Sequence, residues 1–180
     1  MRCLIIFVGI LLPSLPLLAQ NNLFLPFGQS SDEVKYYLAT RDYIVNIEED
    51  DEMRSLRALM NENKQVEYVF HDGKLYATTI SMNYTDKRLA REAEANCMAY
   101  MNEVRRGIGE VKRTEQDGVI CYTALTDTRI LKLFIQAHAN STTLTLTSVS
   151  RRHSPESVRE DYYYEVDLLQ RRFISNERRR

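Results

Sequence analysis

Gln65-Val66-Glu67-Tyr68-Val69-Phe70-His71-Asp72-Gly73-Lys74-Leu75-Tyr76-Ala77-Thr78-Thr79-Ile80 is the stretch that decides the fold. β-Branched and aromatic residues flank Asp72-Gly73, and an Asp-Gly pair supplies the positive φ that a tight hairpin turn requires. Two strands, 65–70 and 74–80, joined through His71-Asp72-Gly73, are therefore expected.

Working back toward the N-terminus, Met53 to Asn61 fits a helix through Met53, Leu56, Leu59 and Met60, and a strand through Leu56, Ala58 and Met60. Its strand neighbours favour the strand. Asp42 to Ile47 alternates Tyr43, Val45 and Ile47 against Asp42, Ile44 and Asn46, which again reads as a strand. Ser30-Ser31-Asp32-Glu33 forms a capping box that opens a short helix through Val34, Tyr37 and Leu38, and Asn21 to Phe27 is an extended lead-in.

Beyond the hairpin, Thr85 is placed to cap a longer helix reaching Arg106. Leu89, Ala93, Asn96, Cys97, Tyr100, Met101 and Val104 share one of its faces, and Gly107 and Gly109 end it. Four strands follow, at 110–114, 119–125, 130–137 and 142–150, with turns at Asp117-Gly118, Asp127-Thr128 and Asn140-Ser141. Ser154-Pro155-Glu156 starts a last helix along Val158, Tyr162, Val166, Leu169 and Phe173, although Tyr162, Tyr164, Val166 and Leu168 alternate as a strand would. The order predicts an α+β fold: one antiparallel sheet made of two helix-plus-meander halves, with the helices packed on one face. The single domain spans 21–175, with halves 21–83 and 84–175, and a basic tail occupies 176–180.

The first twenty residues read differently. Arg2 precedes the apolar run from Leu4 to Leu12, nine residues long, and Pro13, Ser14 and Pro16 break it before Leu17-Leu18-Ala19-Gln20. That is the pattern of a cleaved export signal, with cleavage near Ala19 and Gln20. The run is far shorter than the roughly 20 residues a spanning helix needs, so no membrane span is expected. Cys3 precedes the apolar core, so there is no lipobox cysteine. A periplasmic or secreted protein follows.

The formal net charge is -1, which argues against nucleic acid as a partner because phosphate binding needs clustered excess basic charge. Glu48 to Glu52 form an acidic run, and Arg171, Arg172, Arg178, Arg179 and Arg180 crowd the C-terminus. The acidic run lacks the alternate spacing and central glycine of a calcium loop and reads as a solvated turn.

Phe27-Gly28-Gln29-Ser30-Ser31-Asp32-Glu33-Val34, Leu38 and then Tyr68-Val69-Phe70-His71-Asp72-Gly73-Lys74-Leu75-Tyr76 make a Gly-x-Ser-x-x-Glu-Val helix start followed by an aromatic strand and a turn ending in Gly-Lys-Leu. Across 27–80 the chain resembles small exported bacterial α+β proteins of the BamE and β-lactamase-inhibitor-protein type. The Ala19-Gln20 ending and the Tyr-rich, Trp-free mature chain are similar to periplasmic proteins of the Bacteroidetes. The resemblance implies a fold type and a compartment. It carries over no functional residue, and the lipobox cysteine and the Gly-x-Pro after the helix that BamE carries are missing here.

Few residues invite chemistry. After cleavage Cys97 and Cys121 remain, separated by 23 residues, and an oxidising compartment would allow them to form a disulfide worth about 3 kcal/mol. Without a bridge, Cys97 on an apolar helix face and Cys121 among Val119, Ile120 and Tyr122 act as small apolar side chains. His71, His138 and His153 lie at no ligand spacing, so no metal and no cofactor is expected. Asn83-Tyr84-Thr85 and Asn140-Ser141-Thr142 match the glycosylation pattern, which matters only in a eukaryotic source.

The chain has eleven tyrosines. Tyr36-Tyr37 and Tyr162-Tyr163-Tyr164 must each turn a ring outward, and Tyr162, Tyr163 and Tyr164 form the candidate contact patch for protein or carbohydrate. The function expected is that of an exported non-catalytic protein binding another macromolecule of the cell envelope, with an envelope or secreted protein as partner. An inhibitor of an exported enzyme is the alternative. A small hydrolase using Asp72, Glu67 or Asp117 comes third, because such carboxylates mean little without a pocket.

Overall fold

The Asp72-Gly73 turn closes the predicted hairpin. In the computed structural model Asp72 has φ 50° and Gly73 φ 70°, between strands β3 (Lys64–His71) and β4 (Lys74–Tyr84). A Cβ on Gly73 would meet nothing, so the left-handed backbone, and not lack of space, selects glycine there. The structure describes residues 23–42, 44, 46–50, 54–105 and 110–158.

Helix α1 (Ser31–Ala39) and strands β1 (Asn46–Asp50) and β2 (Ser55–Asn61) precede the hairpin; helix α2 (Lys87–Arg105) and strands β5 (Lys112–Gln116), β6 (Val119–Leu125), β7 (Arg129–Ala137) and β8 (Thr142–Ser150) follow it. Among the described residues all the strands belong to one eight-stranded antiparallel sheet, in the order β1-β2-β3-β4-β8-β7-β6-β5. Each helix is thus followed by a meander, and the two meanders join where β4 runs antiparallel to β8, from Ala77↔Val149 to Tyr84↔Thr142. Such a join relates the meanders by an approximate two-fold axis normal to the sheet.

The antiparallel sheet is as expected, but it dominates the fold: the helices are minor, α1 and α2 being the long ones among the described residues. The pleat sorts the strands' side chains by face. Val66, Tyr68 and Phe70 of β3, Leu56 and Ala58 of β2, Ile80 of β4, Leu144 and Leu146 of β8, and Leu131 and Leu133 of β7 form one buried cluster with Val34 and Leu38 of α1 and Ala90, Cys97 and Met101 of α2. Ala77 and Ile130 are buried as well, yet they stand outside that cluster, because register puts them on the opposite face, each paired with Val149.

The lead-in is tied down tightly. Leu23 is fully buried, its carbonyl accepts a hydrogen bond from the Tyr68 hydroxyl (2.9 Å), and Phe24 stacks on Tyr100 of α2 at 4.6 Å. Gly28 N–H donates to the Leu75 carbonyl (2.9 Å) and Leu75 N–H to the Gln29 carbonyl (2.8 Å), which adds a short bridge at the start of β4.

The α1 capping box is present: Ser30 N–H donates to Glu33 Oε2 (2.7 Å) and Glu33 N–H to Ser30 Oγ (3.3 Å). At α2 the expected cap moves by one residue. Asp86 Oδ1, not Thr85, accepts from Arg88 N–H (2.7 Å) and Leu89 N–H (3.3 Å), and a carboxylate there also complements the positive end of the helix dipole.

The first strand is displaced too. After α1 the chain turns through Arg41 and Ile44, whose N–H groups bond the carbonyls of Leu38 and Arg41, so β1 starts at Asn46 and not at Asp42. It therefore takes in Glu48, Glu49 and Asp50, part of the acidic run read as a turn. Charge suits this position, since β1 is an edge strand and charged edges resist pairing with other chains. Glu49 also meets Lys35 of α1 at 2.7 Å.

Glu156 to Val158 form a helical turn after Ser154-Pro155, as expected for a helix start. The rest of the segment to 173, Tyr162, Tyr163 and Tyr164, the tail 176–180 and the signal segment with Ala19 and Gln20 lie outside the described residues. Among the described residues no helix is long and apolar enough to cross a membrane.

Candidate functional site

The side of the sheet opposite the core has its own composition. Its central row runs across the strands from Glu48, Arg57 and Glu67 to Thr79 and Thr147, and on to Lys132, Thr123 and Lys112, each paired with the next. Acidic side chains thus lie toward the β1 edge and lysines toward the β5 edge. Glu67 Oε1 accepts from Ser55 Oγ (3.2 Å) and lies 3.5 Å from Arg57, while the Thr79 and Thr147 hydroxyls meet at 3.2 Å at the join between the halves.

The rows on either side differ. Toward the Asp72-Gly73 end, Val69, Ala77, Val149, Ile130 and Leu125 make an apolar row. On the other side Gln65, Ser81, Thr145, Phe134 and Cys121 follow one another, half-buried. β8 contributes Thr143, Thr145 and Thr147 to this open face at every second position, and Leu144 and Leu146 to the core in between.

A cleft of about 580 Å³ opens where the β2–β3 turn meets the end of β4. Asn61 Oδ1 accepts from Asn63 N–H (2.9 Å) and the Asn63 carbonyl accepts from Asn83 N–H (2.8 Å), so the turn is latched to β4. Asn61, Asn63, Gln65, Ser81, Asn83 and Thr143 supply neutral polar groups, Leu59 and Met82 apolar ones, and Glu62 and Lys64 one charge of each sign. A second cleft of about 520 Å³ lies between the start of α2 and the β7–β8 turn; it includes Arg91, Glu94 and His138, whose Nε2 is 3.2 Å from Thr143 Oγ1.

The candidates singled out by the sequence do not converge. Cys97 is buried in the core on α2, whereas Cys121 is half-buried on β6 with its Sγ 3.7 Å from Thr123 Oγ1 on the open face, and both are free thiols. In this structure the sheet lies between them and the possible Cys97–Cys121 disulfide is not formed. Burial pushes the Cys97 thiol up to about 12, so it is a poor nucleophile.

Asp72 and Asp117 sit in turns at opposite ends of the sheet, and Glu67 lies between them in its ion pair with Arg57. His71, His138 and His153 are likewise apart: His71 is 3.5 Å from Asp72, and His153 packs on Gly28. Among the described residues no three His, Cys, Asp or Glu side chains gather as metal ligands. Of the Tyr36-Tyr37 pair, Tyr36 is 76% exposed while Tyr37 lies under the Arg41 guanidinium at 4.2 Å.

The open face and its cleft escaped sequence reading. Thr143-x-Thr145-x-Thr147 was legible as a strand, but which neighbours would stand beside it depends on the β4–β8 join, a pairing across 68 residues at Thr79 and Thr147. Asn61-Glu62-Asn63 was the one local sign of the cleft. No protein-family model, curated protein or solved structure matches the chain.

Proposed function

We propose that this chain is an exported, non-catalytic protein of the cell envelope that binds another macromolecule through the open face of its sheet. Export rests on the charged, apolar and small-residue order of residues 1–20. The observation that carries binding is the open face itself. It runs across the eight strands of the described residues, mixes threonines, opposite charges and apolar side chains that are half-buried or, at Ala77 and Ile130, buried, and contributes no residue to the core cluster. In this reading the chain is an α+β protein of two helix-plus-meander halves, with α1 and α2 both on one side of the sheet.

The resemblance of 27–80 to proteins of the β-lactamase-inhibitor-protein type, together with the doubled helix-plus-meander plan, favours a second reading, an inhibitor that lays this face against an exported enzyme. Fold analogy alone supports it. Loss of activity in one of a set of exported hydrolases on adding the protein is its expected signature, and uniform indifference removes it.

The main reading is tested with a photo-crosslinking residue in place of Thr147 on the open face or of Arg88 on the exposed side of α2. Capture of a defined envelope macromolecule from Thr147 and not from Arg88 is expected. Equal or absent capture at the two positions overturns the reading. Fractionation adds an independent check, because a chain starting at Met1 and held in the cytoplasm rules out an envelope role.

A further inference from the structure

The cleft at the β2–β3 turn combines three properties that together narrow its ligand. Its volume of about 580 Å³ lies within the several hundred Å³ usual for small-ligand sites. Its polar lining is neutral, and its single carboxylate and single lysine cancel. The side chains of Asn63, Gln65, Ser81 and Asn83 have no hydrogen-bond partner among the described residues, while Asn61 spends its oxygen on the turn and keeps its amide N–H groups. Amides offer a donor and an acceptor side by side, which suits ligands that do the same.

Competing ligand classes fit less well. An extended peptide adds to a sheet through unpaired backbone groups at an edge. Here β3, β4 and β8 are interior strands whose backbone groups are already paired. Nucleic acid and other polyanions need clustered basic charge, which the cleft lacks. A neutral ligand rich in hydroxyl and amide groups, with an apolar ring face, remains.

The surface continues the match. From Ser81 the half-buried row passes through Thr145 to Phe134, two strand spacings away, or about 10 Å. A second ring unit extending from the cleft would therefore meet an aromatic side chain, whose apolar face suits the C–H side of a sugar ring. We propose that the cleft, continued along the open face to Phe134, is a binding site for a neutral saccharide chain. The inference deepens the proposed function and rests on it, since it makes the open face the binding surface and names the class of its ligand.

The test is an NMR titration of the purified full chain with two neutral oligosaccharides, a tetramer of N-acetylglucosamine and a tetramer of glucose, and with a sulfated oligosaccharide as control. Saturable shifts at the side-chain amides of Asn63, Gln65 and Asn83 and at the Phe134 ring are expected with a neutral oligosaccharide. Asn83→Leu, which removes hydrogen bonds at an exposed position, should weaken binding about tenfold, and Phe134→Ala should weaken the tetramer more than the monosaccharide. Arg88→Ala, on the exposed side of α2 and away from the open face, should leave it unchanged. Retained dispersion in the same spectra shows that each variant is folded. No saturable shift with either neutral oligosaccharide, shifts centred elsewhere, or tighter binding of the sulfated control overturns the inference. A protein crosslinked from Thr147 alongside silent saccharide titrations overturns the inference and leaves the proposed function standing, whereas failure of both experiments removes both.

Discussion

The Tyr68 hydroxyl donates a 2.9 Å hydrogen bond to the carbonyl of Leu23, 45 residues earlier in the chain, and both side chains are fully buried. The contact fixes the lead-in on the core side of the sheet, where Phe24 stacks on Tyr100. Tyr68→Phe leaves the Leu23 carbonyl buried without this partner and should cost about 1–2 kcal/mol, a fall of a few degrees in Tm. Leu23→Ala opens a cavity as well and should cost about 2–4 kcal/mol. Denaturant titration of both variants checks the order; an unchanged midpoint for Leu23→Ala would mean that the lead-in is not part of the cooperative core.

Gly28 holds φ +91°, and a Cβ there would stand 3.2 Å from His153 Nε2. Two costs therefore combine in Gly28→Ala: the unfavourable backbone region, about 1–2 kcal/mol, and the contact with the imidazole. A double-mutant cycle separates them. His153→Ala should restore part of the stability lost in Gly28→Ala and leave the backbone share. If Gly28→Ala costs the same in both backgrounds, the imidazole simply swings aside.

The same histidine predicts a pH dependence. Desolvation by burial, then the positive charges of Arg152 and Lys74, hold the His153 pKa below its ordinary 6.5. Folding thus favours the neutral imidazole, and the unfolded chain binds more protons between the folded value and 6.5. Stability from this group is full above that range and falls as pH drops through it. Urea midpoints measured from neutral to mildly acid pH should decline, and His153→Gln should flatten the decline in that window. A parallel decline in the variant would place its origin elsewhere.

How much of this was legible in the sequence depends on the range of the forces involved. Asp72-Gly73 and Asp117-Gly118 read correctly because the left-handed φ values at both pairs are dictated locally. Val119–Leu125 and Thr142–Ser150 matched their expected bounds because apolar and turn signals coincide there. The start of β1 was misplaced, since Asn46–Asp50 is held by pairing with Ser55–Leu59 and not by its own apolar pattern. Met53–Asn61 was ambiguous for a physical reason: Leu56, Ala58 and Met60 meet the core, but Leu59 puts an apolar side chain on the opposite face between them, which fits a helical pattern as well. The open face was illegible for another reason. Glu67, Thr79, Thr147 and Lys132 are far apart in sequence and become neighbours only through strand order.

Cys97 and Cys121, two of the chain's three cysteines, make the last prediction, because they stand on opposite sides of the sheet in unlike surroundings. Cys97 is fully buried, and that burial raises its pKa to about 12, so almost no thiolate exists there near neutral pH. Cys121 is half-buried on the open face beside Thr123. Under native conditions an alkylating reagent should label Cys121 and leave Cys97 untouched until denaturant is added, and reduction beforehand should change neither result. In the chain lacking residues 1–20, and so Cys3, Cys121→Ser should abolish native labelling. If alkylation in denaturant requires prior reduction, the two thiols are bridged and the strand β6 must be arranged differently, since a bond between them has to pass through the sheet. Because Cys97 opens only with the core, its labelling rate in sub-denaturing urea should rise as global stability falls, increasing in Tyr68→Phe and further in Leu23→Ala in step with the losses expected for them.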